Sequence, residues 1–464
     1  MNERRTCDVA ILGSGPGGHS AAIEAAAAGA RVLLVERDAR VGGECVHRGT
    51  IPSKTLHERA QALLRTGGVR PGERVQIEGL MRRKDEVVAL NEELVAQHVS
   101  RSGAEVVFGH GRFVSPREIE VRAPGRPSVS IEARQVVIAT GSRPRKPADL
   151  PIDHEHVLDS DSVLAMTWLP ESIAVFGGGV IASEFASIFA ALGSRVEWID
   201  RSPRPLGFLD GEIVETFLSN FRGQGGRWHG GRQTTRLQWD GLSRVVTELD
   251  DGTRIETEQA LVALGRVANV ERLNLAAAGL AANARGHLEV DANMCTQVPG
   301  IYAVGDVVGP PALAASSMEQ GRRAARHMLG LEIHRGVDTT PSGIYALPEM
   351  ACVGIDEQAA RTRFGSALVG VAKFADLARG RINGVRDGML KLVAEPQSGR
   401  ILGVQIVGEG ATELVHVAQM ALIGGLSADA FVDHVFNFPT FAEAYRTAAL
   451  EIVAARSKSL RASA

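Results

Sequence analysis

At 464 residues, with 44% hydrophobic and 23% charged, the chain exceeds one ordinary core and has the balance of a soluble globular protein of roughly two to four domains. A formal net charge of -3 and the lack of any basic cluster interleaved with aromatics exclude nucleic acid as a partner, and no apolar run approaches the ~20 residues of a membrane span. Cys7, Cys45, Cys295 and Cys352 show no CxxC spacing, so neither a zinc site nor a disulfide framework is expected; with no signal-peptide pattern ahead of the first strand, the cytoplasm is the expected compartment.

The first element is "CDVAILGSGPGGHSAAIEAAAAGARVLLVER". An apolar strand from Val9 to Leu12 meets Gly13, Gly15 and Gly18, then an alanine-rich helix, then a second strand from Val32 to Val35 that ends at Glu36. In a dinucleotide fingerprint the first glycine makes the tight turn, the second lets backbone approach a pyrophosphate, and the third lets helix and strand pack closely. The helix N-terminus then offers free N–H groups to phosphate, and Glu36 can accept hydrogen bonds from an adenosine ribose.

Next comes "GGECVHRGTIPSK", in which a lone Cys45 is followed by Thr50 and Lys54. The stretch "VVIATGSRP" reads as a strand ending in Thr140 and Gly141. A second fingerprint, "SIAVFGGGVIASEFASIFAALGSRVEWIDR", then repeats the pattern with Gly177, Gly179, Ala182 in the third place, and Asp200 closing the second strand at the spacing of Glu36 from Gly13. Two dinucleotide folds imply two dinucleotides. An enzyme so equipped most simply passes hydride between a held flavin and an exchangeable nicotinamide, the protein supplying position and electrostatics.

Asp200 suits the free ribose hydroxyls of NAD, whereas Arg201 and Arg204 could grip the 2′-phosphate of NADP or be solvated loop charges. Further on, "GIYAVGDVVG" reads as a strand delivering Asp306, "TELVHVAQMALIGG" as a helix, and "GMLKLVAEPQSGRILGVQIVG" as two strands around Ser398 and Gly399. His154 and His156 in "IDHEHVL" read as a solvated loop, and His416 and His434 lack cysteine partners, so no metal is assigned.

Together, the two fingerprints with "ATGSRP", "ALGR", "GIYAVGDVVG" and "FNFPTFAEAYR" resemble the pyridine nucleotide-disulfide oxidoreductases over nearly the whole chain. The resemblance implies an α/β fold of two Rossmann-like domains plus a C-terminal α+β dimerisation domain. Residues 1–153 and 281–339 would form the FAD-binding domain, 154–280 the NAD(P)-binding domain, and 340–464 the interface of a homodimer or larger assembly. It adds Arg37, Gly42, Gly43, Cys45, Gly265 and Ala314 to the cofactor-binding set. It also implies that Lys54 and Glu184 pair beside the flavin ring, where a cation would stabilise the charge developing on hydride uptake.

The chain departs from the family's dithiol members at two places. Thr50 stands where the second cysteine of the motif belongs, so Cys45 cannot form the internal disulfide. Phe438 in "NFPT" replaces the acid/base histidine, although its paired Glu443 remains. Both departures resemble the branch of soluble, Si-specific pyridine nucleotide transhydrogenases, which move hydride between NADPH and NAD+ through FAD alone. On that resemblance Phe438 and Glu443 reach the partner's flavin, and Cys45 is an inert thiol of ordinary or raised pKa. An NAD(P)H oxidase, a quinone diaphorase, a flavoprotein similar to dihydrolipoamide dehydrogenase but without thiol chemistry, and a non-enzymatic nucleotide sensor are the alternative readings.

Overall fold

The computed structural model describes residues 3–69, 75–333 and 339–463. Its first sheet is built on Glu3–Leu12, which runs parallel to Val32–Glu36 on one side and Val129–Ile138 on the other. Val9 through Leu12 are buried on both faces, as a central parallel strand requires. Val129–Ile138 is long enough to serve two neighbours: its first half pairs antiparallel with Glu118–Arg122, and its second half parallel with Ile301–Ala303. A segment remote in sequence is thereby returned to the first fingerprint.

The helix Pro16–Ala27 seats Gly17, Gly18, Ala21, Ala22 and Ala25 against the core, and it crosses the helix Ala314–Met328 closely. A side chain at Gly321 would overlap the Gly17 carbonyl, so small residues set this crossing.

The second sheet is parallel throughout, in the order Arg227–Gly230, Arg195–Asp200, Ser172–Phe176, Gln259–Val262 and Val157–Asp159. The helix Val180–Ala191 is buried from Ala182 to its last residue. Between the two sheets lies a short antiparallel ribbon, Ser142–Pro144 with Arg266–Ala268, which joins "GSRP" to "ALGR". A third, antiparallel sheet of Ser342–Ile344, Met350–Gly354, Ile401–Val407, Met389–Ala394 and Leu368–Lys373 carries the helices Ala411–Ile423 and Glu443–Ser463.

Two strand ends differ from the sequence expectation. The strand read to Thr140 and Gly141 stops at Ile138, because Thr140 turns aside to donate its hydroxyl to the Asn269 carbonyl at 2.8 Å. The strand read to Asp306 stops at Ala303, and Asp306 sits on a one-turn helix, Gly305–Val308. Among the described residues no helix is long and apolar enough to cross a membrane.

Candidate active site

Both fingerprints open onto one cleft of about 1370 Å³. Gly13 (φ +105°) and Gly177 (φ +119°) make the turns, and in each a side chain would overlap the carbonyl oxygen of Ala139 or Ala263 on the neighbouring strand end. Gly15 and Gly179 precede the two helices and have no atom within 4 Å of the place a Cβ would take. This is the shape of a phosphate cradle at each helix N-terminus, so the residues present fit a dinucleotide at both turns. Gly18 and Ala182 lie beneath the turns rather than on the cleft wall, as packing positions should.

Glu36 lines the cleft and is anchored before any ligand arrives. Its Oε2 accepts the Ser14 N–H at 2.9 Å and hydroxyl at 2.5 Å, and its Oε1 accepts the Asp38 N–H at 2.9 Å. Arg37, Gly43, Cys45, Thr140, Gly141, Gly265, Asp306 and Ala314 line the same cleft; Gly42 stands behind it, donating its N–H to Ser14 Oγ at 3.0 Å. Asp306 accepts the Ser142 hydroxyl at 2.5 Å, and Ser142 Oγ in turn accepts Arg266 Nε–H at 2.8 Å. Sequence reading missed Ser142 and Arg266, although both sit inside quoted motifs.

At the middle of the cleft Lys54 Nζ lies 2.8 and 2.7 Å from the two carboxylate oxygens of Glu184. Glu184 is 3% exposed and also accepts the Tyr345 N–H at 2.9 Å. The ammonium stands 4.9 Å from the centre of the Tyr345 ring, so a tyrosine from the third sheet's edge completes the lysine's surroundings. Cys45 and Thr50 line the cleft near this pair; burial pushes the Cys45 thiol up, against smaller opposing effects of the Thr50 hydroxyl and the Lys54 charge. A thiol held protonated is a poor nucleophile.

Asp200 lines the cleft, but Arg201 and Arg204, grouped with it by residue type, do not. Phe438 is 68% exposed and, like Glu443, stands outside this chain's cleft. Elsewhere His57, Glu58 and Glu349 bring ligand atoms within 4.8 Å of one another, a grouping the sequence reading did not single out. Glu349 is committed to the Thr412 N–H and hydroxyl and Glu58 faces solvent, so the contact reads as packing.

Asp161, below the cleft, has its carboxyl pushed up to about 6 by burial and by the nearby Glu44 charge, with Arg266 opposing. A carboxyl whose pKa rises on folding favours the folded state when protonated, and that contribution is lost as pH climbs from ~4 through ~6. Asp161→Asn is therefore expected to be more stable than the parent at pH 7.5, by about 3 kcal/mol, with the difference shrinking to well under ~1 kcal/mol near pH 4. Thermal unfolding of both proteins at the two pH values checks this.

Residues 7–321 match the model for the pyridine nucleotide-disulphide oxidoreductases, and residues 340–449 match that family's dimerisation domain. The chain is 40% identical over 457 residues to a soluble pyridine nucleotide transhydrogenase of Mycobacterium tuberculosis, covering 97% of each chain. It is 38% identical over 455 residues to one of Pseudomonas entomophila, covering 96% of this chain and 97% of that one. Among solved structures it resembles the HOCl-induced flavoprotein disulfide reductase RclA of Escherichia coli, with a TM-score of 0.87, 26% identity, and coverage of 96% of this chain and 99% of that one. LpdA of Mycobacterium tuberculosis gives a TM-score of 0.87 at 25% identity, covering 97% and 99%. With its two glycine turns opening onto one cleft and both family models matched in order, the chain belongs to the FAD-dependent pyridine nucleotide-disulphide oxidoreductases.

Proposed function

We propose that the chain transfers hydride between NADPH and NAD+, as a soluble transhydrogenase, in alternating half-reactions that involve no redox disulfide. FAD held at the first fingerprint, by the turn at Gly13 and Gly15 with Glu36 and Asp306 on the cleft wall, would supply the two-electron chemistry of both half-reactions. The observation that carries this reading is the half-buried Lys54–Glu184 pair in a cleft where Cys45 faces Thr50 instead of a second thiol.

The residues divide the work. Lys54 brings a positive charge to the middle of the cleft, where negative charge develops during transfer, and Glu184 fixes its position through both carboxylate oxygens. Ser142 and Arg266 hold the Asp306 carboxylate in one orientation toward the first site. Gly177 and Gly179 shape the second turn for a nicotinamide nucleotide's pyrophosphate. Hydride exchange needs no proton relay, which agrees with phenylalanine at 438.

The working unit is proposed to be a homodimer, alone or within a larger assembly, in the cytoplasm. Phe438, 68% exposed, lies in the stretch that resembles the family's interface signature, Val435, 96% exposed, stands just ahead of it, and neither lines this chain's cleft. They are placed for a partner's surface.

The test is an anaerobic titration of the yellow protein with NADPH, followed by an NAD+ analogue that absorbs differently when reduced. Bleaching complete at about one NADPH per FAD, with recovery on adding the analogue, is expected for a flavin-only enzyme. Consumption of two NADPH per FAD would reveal a second redox centre and overturn the disulfide-free reading. Bleaching without recovery, reversed by oxygen or a quinone, would make it an oxidase or diaphorase.

A further inference from the structure

We propose that Tyr345 and His57 are positioning residues for the hydride step, and that residues 345–347 clasp the two helices whose side chains make the Lys54–Glu184 pair. The proposal deepens the hydride-exchange reading and rests on it for the role of Lys54.

Lys54 and Glu184 stand on different helices, Thr50–Arg65 and Val180–Ala191, and are 130 positions apart. Residues 345–347 bridge these helices directly after the edge strand Ser342–Ile344, each tying one peptide group to one of them. The Tyr345 N–H donates to Glu184 Oε1 at 2.9 Å, and the Leu347 N–H donates to Ser187 Oγ, one turn further along, at 3.0 Å. From the other helix His57, one turn beyond Lys54, brings Nε2 to 3.1 Å from the Ala346 carbonyl oxygen. Apolar packing follows the same line. Ile344 and Ala346 belong to one buried cluster with Leu56 and Phe185, and Leu347 to another with Ala60 and Ile188.

His57 is fully buried, and its ring shows which contact it serves. A carbonyl oxygen only accepts, so Nε2 carries the proton in this bond. Nδ1 has no hydrogen-bond partner among the described residues, and the Glu58 carboxylate stands off at 3.6 Å. A buried polar atom left without a partner is costly. An apolar residue would avoid that cost, and what histidine adds is the bond to Ala346.

The same ring meets Tyr345 edge to face, with centroids 5.9 Å apart and planes at 86°. Tyr345 in turn offers its ring to the Lys54 ammonium, 4.9 Å from the ring centre. Burial and the nearby Glu349 charge push the Tyr345 phenol up, which keeps that ring neutral. Lysine carries its charge on a flexible four-carbon stem, and holding it costs rotamer freedom. The Glu184 carboxylate and the Tyr345 ring together confine the ammonium, and His57, which does not line the cleft, braces the ring from behind.

The test compares the parent, Tyr345→Leu, Tyr345→Phe and His57→Leu as holoenzymes. Two quantities are read: the limiting rate of flavin reduction at saturating NADPH, and the flavin midpoint potential in a dithionite titration with a reference dye. Tyr345→Leu is expected to slow the limiting rate about tenfold and His57→Leu about fivefold, both with a more negative potential, while Tyr345→Phe stays within about twofold of the parent. Adding Tyr345→Leu to Lys54→Met is expected to slow the rate less than about twofold further, because the ring acts through the lysine. An unchanged rate and potential in Tyr345→Leu, a Tyr345→Phe as slow as Tyr345→Leu, or full additivity with Lys54→Met would each overturn the proposal. A His57→Leu protein with a lower melting temperature but the parent's rate and potential would overturn the part that concerns His57; if that variant does not fold, the Tyr345 variants decide. The potential involves no nicotinamide, so a failed titration with NADPH or the NAD+ analogue leaves that readout intact, and the two readings fail separately.

Discussion

Replacing Lys54 by methionine is expected to slow flavin reduction by a saturating nicotinamide nucleotide about 10²- to 10³-fold, while nucleotide affinity changes only a few-fold. On the proposed chemistry the reason is differential: the Lys54 charge would matter little while the flavin is oxidised and much more as negative charge accumulates. The neutral side chain keeps the lysine's hydrocarbon-like stem and removes the ammonium, with its charge and its hydrogen bonds to Glu184. Single-turnover stopped-flow separates the rate from binding, and an unchanged limiting rate would remove Lys54 from the chemistry.

The same substitution disturbs stability, and the two effects must be separated. Glu184 is 3% exposed and would lose its counterion, retaining among the described residues the Tyr345 N–H at 2.9 Å. Breaking a fully buried pair from one side costs about 3–5 kcal/mol, because the remaining charge is uncompensated; with Lys54 24% exposed, the cost here is expected below that range. The double variant Lys54→Met with Glu184→Gln removes that orphaned charge and is expected to recover most of the lost unfolding free energy without recovering the rate. Recovery of both would mean that Lys54 acts only through packing.

What sequence could reveal here follows from where the physical constraint lies. The glycine turns were legible because the demand is local: Gly13 and Gly177 need a positive φ and a bare Cα against a neighbouring strand, and no other residue meets it. The Lys54–Glu184 pair spans 130 positions, so no spacing rule reaches it; it came only through resemblance. The Arg266–Ser142–Asp306 chain is similar, since Ser142 and Asp306 are 164 positions apart and meet only because Ile301–Ala303 and Val129–Ile138 pair side by side. Tyr345 had no role in the sequence reading, because its approach to Lys54 depends on how the third sheet's edge meets the cleft. Arg201 and Arg204 show the opposite failure. Residue type suggested phosphate, but hydrogen bonds within the loop decide where Arg204 points, and composition does not encode them.

The two fingerprints differ at their third position, and that difference makes a second large effect predictable. Gly18→Ala is expected to yield a protein that is destabilised by several kcal/mol and retains little FAD, although it adds one methyl group. A Cβ at Gly18 would overlap the Gly13 carbonyl oxygen and approach the Gly13 carbonyl carbon to 3.0 Å and Ala139 Cβ to 3.1 Å. No rotamer relieves a clash of Cβ with backbone, so the helix must retreat or the turn must move. The turn is not free to move, because the Gly13 N–H is bonded to the Val35 carbonyl at 2.8 Å and its φ is +105°. Displacing it would shift the Gly15 cradle proposed to receive the flavin's pyrophosphate.

The second fingerprint is the internal control. Ala182 occupies the corresponding position, fully buried, and a Cβ at Gly177 would lie an ordinary 3.6 Å from the Ala182 methyl. There the helix stands far enough from its turn to admit the side chain. Ala182→Gly should therefore cost only about 1 kcal/mol of helix propensity and some lost packing, and should leave FAD content unchanged. Flavin absorbance per protein and thermal unfolding of the two variants side by side check the contrast. If Gly18→Ala kept its flavin and its melting temperature, the close approach of helix to turn would not be what holds the first site in shape.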